Sequence, residues 1–395
     1  MNTNNSLLKI YNAQIVTPTR IIKNGTVIVR GKFIESVTEG DLEVVGATEI
    51  DANNQFIGPG LIDLQINGFM GVDFSDQNLS IVDMRKVTLA LWKAGVTTYL
   101  PTVITNSHKN LKKSFQLLTL AIDNEEIGLS IPGFHLEGPY ISPLEGFRGA
   151  HLAKYIRKPE WDEFSELQKA AFDKIILITV APEVEGALSF ISKCSESGIV
   201  VSLGHHNGSS EIIKNAVVAG ASMATHLGNG CANMINRFEN PLWPQLANEG
   251  ITASLIADGY HLTQEQLQCF YKMKGLEKTV LVSDTLDLAG LPHGEYTRHE
   301  RQVVLSEVVK FPAENCLAGA ASPLNTCVSN MMKLTGSSLE NAIQMASTNP
   351  ARLLGLNNIG ELIQGKRADM ILFAIKDGEM VVQKTIVAGK IVYSN

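Results

Sequence analysis

The chain has 395 residues, 45% hydrophobic and 18% charged, with 33 Lys and Arg against 40 Asp and Glu for a formal charge of −7. So apolar a composition excludes a disordered chain, and the length allows two or three domains or one large barrel with an appendage. The mild acidity argues against a generic nucleic-acid binder, which needs a basic surface, but leaves room for one small anion held by a local Arg or His.

In chain order, the opening MNTNNSLLKIYNAQIV has no basic segment followed by an apolar core, so no secretory signal is expected. No apolar run approaches the roughly 18–20 residues of a membrane helix, and no membrane association is expected. Residues 7–57 alternate in short β-like runs, LLKIYNAQIV, GTVIVRGKFIESV and TEIDANNQFI, with turn signals at Asn24-Gly25 and Arg30-Gly31. The C-terminal stretch repeats that texture in ADMILFAI, Lys376-Asp377-Gly378 and MVVQKTIVAGKIVYSN. A lone hairpin pair is marginal in water, so the two ends, 1–57 and 359–395, are expected to join in one small β-sandwich.

Between them, over 58–358, short apolar runs alternate with segments of 3.6-residue periodicity such as SIVDMRKVTLALWKAG and SSEIIKNAVVAGA. The runs are FIGPGLIDLQIN, VTTYLPTVIT, IPGFHLEGP, KIILITVAPE, IVVSLGHHN, SMATHLGNG, TASLIADGY and TVLVSDT. Eight such units predict an α/β fold, a (β/α)8 TIM barrel whose parallel strands are covered by helices and whose site lies where the strands end. Those ends carry Gln65 and Asn67, Thr105, Glu137, Glu183, His205, His226, Asp258 and Asp284. Burial alone does not explain polar groups gathered on one rim.

Glu137, His205 and His226 offer one carboxylate and two imidazoles, the ligand set of a catalytic zinc-type site with open positions. Small neighbours in SLGHHN and ATHLGNG leave space around His205 and His226, whereas His135 and His206 read as hydrogen-bonded core histidines. Asp284, in LVSDT, would accept a proton beside a bound cation, or it would cap the turn through Thr285. Cys194, Cys231, Cys269, Cys316 and Cys327 form no CxxC pair and read as reduced thiols of a cytoplasmic protein.

These residues carry a family resemblance. PGLIDLQINGFMGVDFSD, PGFHLEGPYIS, GAH, GHHN, THLGN, IADGYH, LVSDT, LAG and the closing STNPARLLGL…GELIQGKRADMILF follow one another as in the N-acetylglucosamine-6-phosphate deacetylases of the amidohydrolase superfamily. The chain resembles that family over essentially its whole length. The resemblance implies a metal-dependent (β/α)8 barrel with a β-sandwich from both termini, hydrolysing the acetamide of an amino-sugar phosphate in amino-sugar catabolism. It implies a divalent ion on Glu137, His205 and His226 (zinc first, with iron, manganese or cobalt as alternatives) and a catalytic Asp284. It also implies substrate contacts from His151, Asn229, Gly230, Arg237 and His261, and a homodimer.

Many amidohydrolases carry HxH on the first strand for a second metal. Here Gln65 and Asn67 stand on one strand face, and neutral amides are poor ligands beside imidazole, which favours one metal. The chain departs from the family after THL, where it reads HLGNGCANMINRFENPLW: Gly230 and Cys231 replace Ala and Met, and Arg237 keeps its spacing among altered neighbours. That departure bears on phosphate recognition more than on the hydrolysis. The competing readings are another amidohydrolase, acting on an unphosphorylated N-acetyl sugar or an N-acyl amino acid, and a non-catalytic barrel serving as scaffold or sugar-binding protein.

Overall fold

Alternating apolar residues at the N-terminus make a sheet in the computed structural model, which describes residues 6–298, 301–313 and 316–395. β1 (Leu7–Val16), β2 (Ile21–Arg30) and β3 (Phe33–Glu39) form an antiparallel meander. β4 (Thr48–Asp51) and β5 (Phe56–Pro59) then run parallel to the two halves of β1. The Arg30-Gly31 signal is the β2–β3 turn. Asn24-Gly25 is not a turn. It lies inside β2 as an irregularity of the ladder, with Asn24 at φ 49°. Gly25 pairs with Glu39 and Ala13, and a Cβ there would press on the Ile15 side chain.

The run FIGPGLIDLQIN divides at Gly60. Its first part is β5, and its second is β6 (Leu61–Ile66), the first barrel strand. β7 (Gly68–Phe69) and β8 (Val72–Asp73) form a small hairpin at the rim. α1 (Ile81–Lys93) follows, its start fixed by a capping box between Ser80 and Asp83, an arrangement that contributes about 1 kcal/mol. β9 (Val96–Ile104), α2 (His108–Ile122), β10 (Phe134–Glu137), α3 (Trp161–Ala170), β11 (Ile175–Val180) and α4 (Ala187–Glu196) continue the alternation. β12 (Val200–Leu203), α5 (Ser210–Val218), β13 (Ala221–Ala224), α6 (Leu242–Ala247), β14 (Thr252–Leu255), α7 (Gln264–Lys274) and β15 (Thr279–Leu281) complete it.

These eight strands form one parallel sheet in the order β6-β9-β10-β11-β12-β13-β14-β15. The seam between β6 and the chain after β15 is stitched at the rim. Asp284 N donates to the Gln65 carbonyl at 2.9 Å, Asn67 N to the Thr285 carbonyl at 2.9 Å, and Ser283 N to Asp63 Oδ1 at 3.1 Å. The expected barrel is therefore present, with its polar strand ends together.

After β15 comes an element that sequence patterning did not reveal. β16 (Gly294–Arg298), β17 (Arg301–Leu305), β18 (Val309–Phe311) and β19 (Cys316–Leu317) form an antiparallel sheet. It has its own small core of Leu286, Leu288, Val303, Leu305, Val309 and Phe311. Helices α8 (Leu324–Thr335), α9 (Leu339–Ala346) and α10 (Thr348–Leu353) return the chain to β20 (Met370–Lys376), β21 (Glu379–Val387) and β22 (Lys390–Ser394). β20 pairs with β5, so both chain ends share one eight-stranded sheet ordered β22-β21-β20-β5-β1-β2-β3, with β4 beside β1. Its core joins Ile10, Ile15, Val27 and Val29 to Met370, Leu372 and Ile386, each worth about 1.5–3 kcal/mol relative to exposure. Among the described residues, no helix is long and apolar enough to cross a membrane.

Candidate metal centre and active site

Side-chain alternation along β10 points His135 and Glu137 into the barrel at different depths. His135 is the lower. Its Nε2 lies 2.8 Å from Thr179 Oγ1, whose hydroxyl continues to Thr225 at 2.8 Å, and burial pushes its pKa down to about 4. It is a neutral core histidine. His206 faces away from the cluster and accepts from Gly208 N at 3.2 Å, and Glu183 accepts from Asn207 N at 2.7 Å in the neighbouring loop. Glu183 is thus the rim carboxylate that turns away from the centre.

Glu137, His205 and His226 come together. His226 Nε2 lies 3.1 Å from Glu137 Oε1, His205 Nε2 lies 3.4 Å from the same oxygen, and the two imidazole nitrogens are 3.1 Å apart. All three are buried, and one ligand atom from each falls within 4.8 Å of the others. Their backbones explain the convergence. His205, His226 and Asp284 sit at φ 52°, 30° and 50°, so each of three strands ends in a left-handed kink that swings its last polar side chain inward. Such a conformation costs roughly 1–3 kcal/mol at a non-glycine residue and persists only where its surroundings impose it. Here His226 N donates to Ser254 Oγ at 2.8 Å, and Ala320 N donates to the Asp284 carbonyl at 2.9 Å.

The donor set suits a divalent ion. His205 Nδ1 lies 3.1 Å from the Phe147 carbonyl, which can only accept, so its hydrogen sits on Nδ1 and Nε2 presents a lone pair to the cluster. Gly230, at φ 59°, lies against the same ring, where a Cβ would stand 2.8 Å from His205 Nδ1. Burial alone would raise the Glu137 carboxyl, but its contacts with the His205 and His226 rings hold it well below the usual range. Burial works against charge on His226 too, and its contact with Glu137 outweighs that and raises its pKa.

Gln65 and Asn67, the amides in place of HxH, donate to the two site carboxylates. Gln65 Nε2 reaches Glu137 Oε1 at 2.8 Å, and Asn67 Nδ2 reaches Asp284 Oδ1 at 2.7 Å. Burial and the charge on Glu137 push Asp284 up to about 6. From sequence alone these amides stand only as missing ligands. Their alternate positions on one strand face were the available signal, but the carboxylate partners, 72 and 217 residues away, were not.

His151 joins the cluster from the loop after β10. Its Nε2 lies 3.3 Å from His205 Nε2 and its Nδ1 2.8 Å from Thr105 Oγ1, and burial pushes its pKa down to about 3. Asn229 N donates to the His226 carbonyl at 2.8 Å, and Asn229 Nδ2 is buried without a partner among the described residues. His261 is held by Asp258, Nδ1 to Oδ2 at 2.7 Å, close enough for its charge to act on Asp284. Arg237 stands apart. It is exposed, with its guanidinium 4.5 Å from the centre of the Phe238 ring.

Comparison with known proteins adds to this geometry. The amidohydrolase family model matches residues 56–392. The chain is 30% identical to N-acetylglucosamine-6-phosphate deacetylase of Lysinibacillus sphaericus, over 88% of each sequence. It is 31% identical to N-acetylgalactosamine-6-phosphate deacetylase of Escherichia coli O157:H7, over 88% of this chain and 90% of that one. Its fold is similar to the crystal structure of N-acetylglucosamine-6-phosphate deacetylase from Pasteurella multocida, with a TM-score of 0.89 and 27% identity over 98% of this chain and all of that one.

Proposed function

This chain belongs to the amidohydrolase family, and from that premise we propose that it hydrolyses the acetamide of N-acetylglucosamine-6-phosphate to glucosamine-6-phosphate and acetate. The observation that carries this reading is the buried trio Glu137, His205 and His226 with Asp284 held beside it by Asn67. A scaffold or a plain sugar-binding barrel has no use for such a grouping, in which two carboxylates and two imidazoles are packed at a cost in desolvation. The trio would hold one divalent ion, zinc first among zinc, iron, manganese and cobalt. The engagement of Gln65 and Asn67 as hydrogen-bond donors supports one ion over two.

A divalent ion bound there supplies water that ionises near neutral pH and a positive charge beside the acetyl carbonyl. Asp284 has one oxygen held by Asn67 and uses the other to take the proton of the attacking water. It then delivers that proton to the departing nitrogen, because an amine anion leaves too poorly for the tetrahedral intermediate to collapse without it. His151 donates from Nε2 to the acetyl oxygen as negative charge develops on it. Asn229 and Gly230 line the sugar, and His261 and Arg237 orient the phosphate.

The substrate contact of Arg237 suits a homodimer. Met234, Phe238 and Trp243, on the same stretch as Arg237, are 89, 75 and 55% exposed, an apolar surface that a second copy would cover. The five scattered cysteines, with no CxxC pair among them, suit a cytoplasmic protein. Light scattering checks the dimer.

Acetate release from N-acetylglucosamine-6-phosphate, its galacto epimer and unphosphorylated N-acetylglucosamine tests the reading. We expect kcat/KM highest for N-acetylglucosamine-6-phosphate and at least a hundredfold lower without phosphate, about 3 kcal/mol of recognition. Equal rates with and without phosphate would remove Arg237 and His261 from a phosphate site. A preference for the galacto epimer would place this chain with its Escherichia coli relative.

A further inference from the structure

We propose that Thr105 is a positioning residue that fixes which nitrogen of His151 carries the hydrogen, and so makes His151 a donor toward the reacting carbonyl. The inference starts from His205. Its Nδ1 faces the Phe147 carbonyl at 3.1 Å and must carry the hydrogen, so its Nε2 is a bare acceptor. His151 Nε2 lies 3.3 Å from that acceptor. A divalent ion on His205 takes that lone pair, so the position of the hydrogen on His151 is decided at its other ring nitrogen. A neutral imidazole with its hydrogen on Nε2 has an acceptor at Nδ1, and the group facing His151 Nδ1, at 2.8 Å, is the Thr105 hydroxyl.

Thr105 can act as that donor because its other neighbour competes weakly. The Glu137 carbonyl lies 3.5 Å from Thr105 Oγ1, at the limit of a hydrogen bond. Thr105 is 4% exposed, so bulk solvent does not offer its hydroxyl a better acceptor. The adjacent Gly138, at φ 73°, is what admits the hydroxyl, since a Cβ at that position would overlap Thr105 Oγ1. The glycine of the HLEGP stretch therefore has a physical task. It lets the end of β9 come close enough to the end of β10 for Thr105 to reach the His151 ring.

This inference rests on the reading of His151 as the donor to the acetyl oxygen, and the variants separate the two. Thr105→Val keeps the shape and removes the hydroxyl, so both tautomers of His151 become accessible. In the zinc-loaded protein we expect kcat for N-acetylglucosamine-6-phosphate to fall about 10- to 100-fold with KM within about threefold, the usual range for losing the partner of an active-site histidine. Zinc content should be unchanged, and Thr105→Ser should restore the rate. Histidine 15N shifts, with His151 assigned by comparison with His151→Asn, should show a hydrogen on Nε2 in the parent and Thr105→Ser proteins and a mixture in Thr105→Val. Parent-like His151 shifts or a parent-like kcat in Thr105→Val would overturn the proposal. Full activity of His151→Asn would overturn instead the catalytic reading of His151, and the 15N shifts would still decide what Thr105 does to the ring.

Discussion

At Asp284 the buried carboxylate is held on one side by Asn67 Nδ2 and by backbone bonds through its N–H and C=O. Asp284→Asn keeps those contacts and removes the proton acceptor. Turnover should fall about 10²–10⁴-fold while the metal content stays at one ion per chain. An active, metal-loaded variant would contradict the assignment. Below it, Asp63 accepts from Gln65 N at 3.3 Å and Ser283 N at 3.1 Å, tying the strand of the amides to the strand end of Asp284. Burial pushes the Asp63 carboxyl up to about 7 against those hydrogen bonds. The native state therefore holds a proton that the unfolded chain releases near its ordinary pKa of 3.8. Stability from this group is complete below that value and is lost as pH rises toward 7, by up to about 1.4 kcal/mol per pH unit. Asp63→Asn does not titrate. Urea unfolding at pH 5 and 7 should show the parent losing about 2–3 kcal/mol relative to the variant over that interval, and a constant difference would refute the shift. The candidate ligands Glu137, His205 and His226 were legible in the sequence because each ends an apolar run beside small neighbours. The amide–carboxylate pairs and the Thr105 contact were not, because they cross between strands whose register no local pattern reports.

The β16–β19 sheet shows how an element escapes such patterns. Its strands are two to five residues long and pair only with one another among the described residues. Their apolar positions are too few to set a period. Besides an apolar core shared with Leu286 and Leu288 of the loop after β15, ion pairs fasten the sheet to the barrel. Arg298, 6% exposed, donates through Nε to Asp287 Oδ1 at 2.7 Å and through Nη2 to Asp73 Oδ2 at 2.6 Å, joining β16 to the rim hairpin and to the loop after β15. Arg301 adds a bond to the Ala150 carbonyl, next to His151. Removing one member of a buried ion cluster leaves the others uncompensated, at about 3–5 kcal/mol. Arg298→Met should speed amide exchange in β16–β18 and leave the barrel strands protected. Unchanged exchange in that sheet would show that its small apolar core suffices. The Asn24-Gly25 pair fails in the opposite way. A strong local turn signal is overridden by ladders on both sides of β2, which hold the residue pair in register with β1 and β3.

For the whole molecule, the two ends and the barrel act as one structure. β20 lies between β5 and β21, and β5 leads through Gly60 directly into the first barrel strand. Thr385 Oγ1 donates to the Trp92 carbonyl at 2.6 Å and Met380 N to Ser329 Oγ at 2.8 Å, so the C-terminal strands also grip helices α1 and α8. A chain lacking residues 370–395 exposes the edge of β5 and the apolar partners of Met370, Leu372 and Ile386. It should accumulate as insoluble protein. A soluble truncation with the parent's circular dichroism and melting temperature would show that the barrel stands alone. The architecture of eight strands and a shared terminal sheet was readable because it rests on long apolar runs. The position of Arg237 was not, since it lies on the exposed stretch between β13 and α6, where long-range packing decides. The central claim is that a divalent ion on Glu137, His205 and His226 enables this chain to deacetylate N-acetylglucosamine-6-phosphate. Acetate release by chelator-stripped protein, before and after one equivalent of zinc, tests it most directly. Activity that is absent when stripped, returns on addition, and fails to return in Glu137→Gln is the predicted result. Full turnover by stripped protein, or none with any of zinc, iron, manganese and cobalt, would contradict the claim.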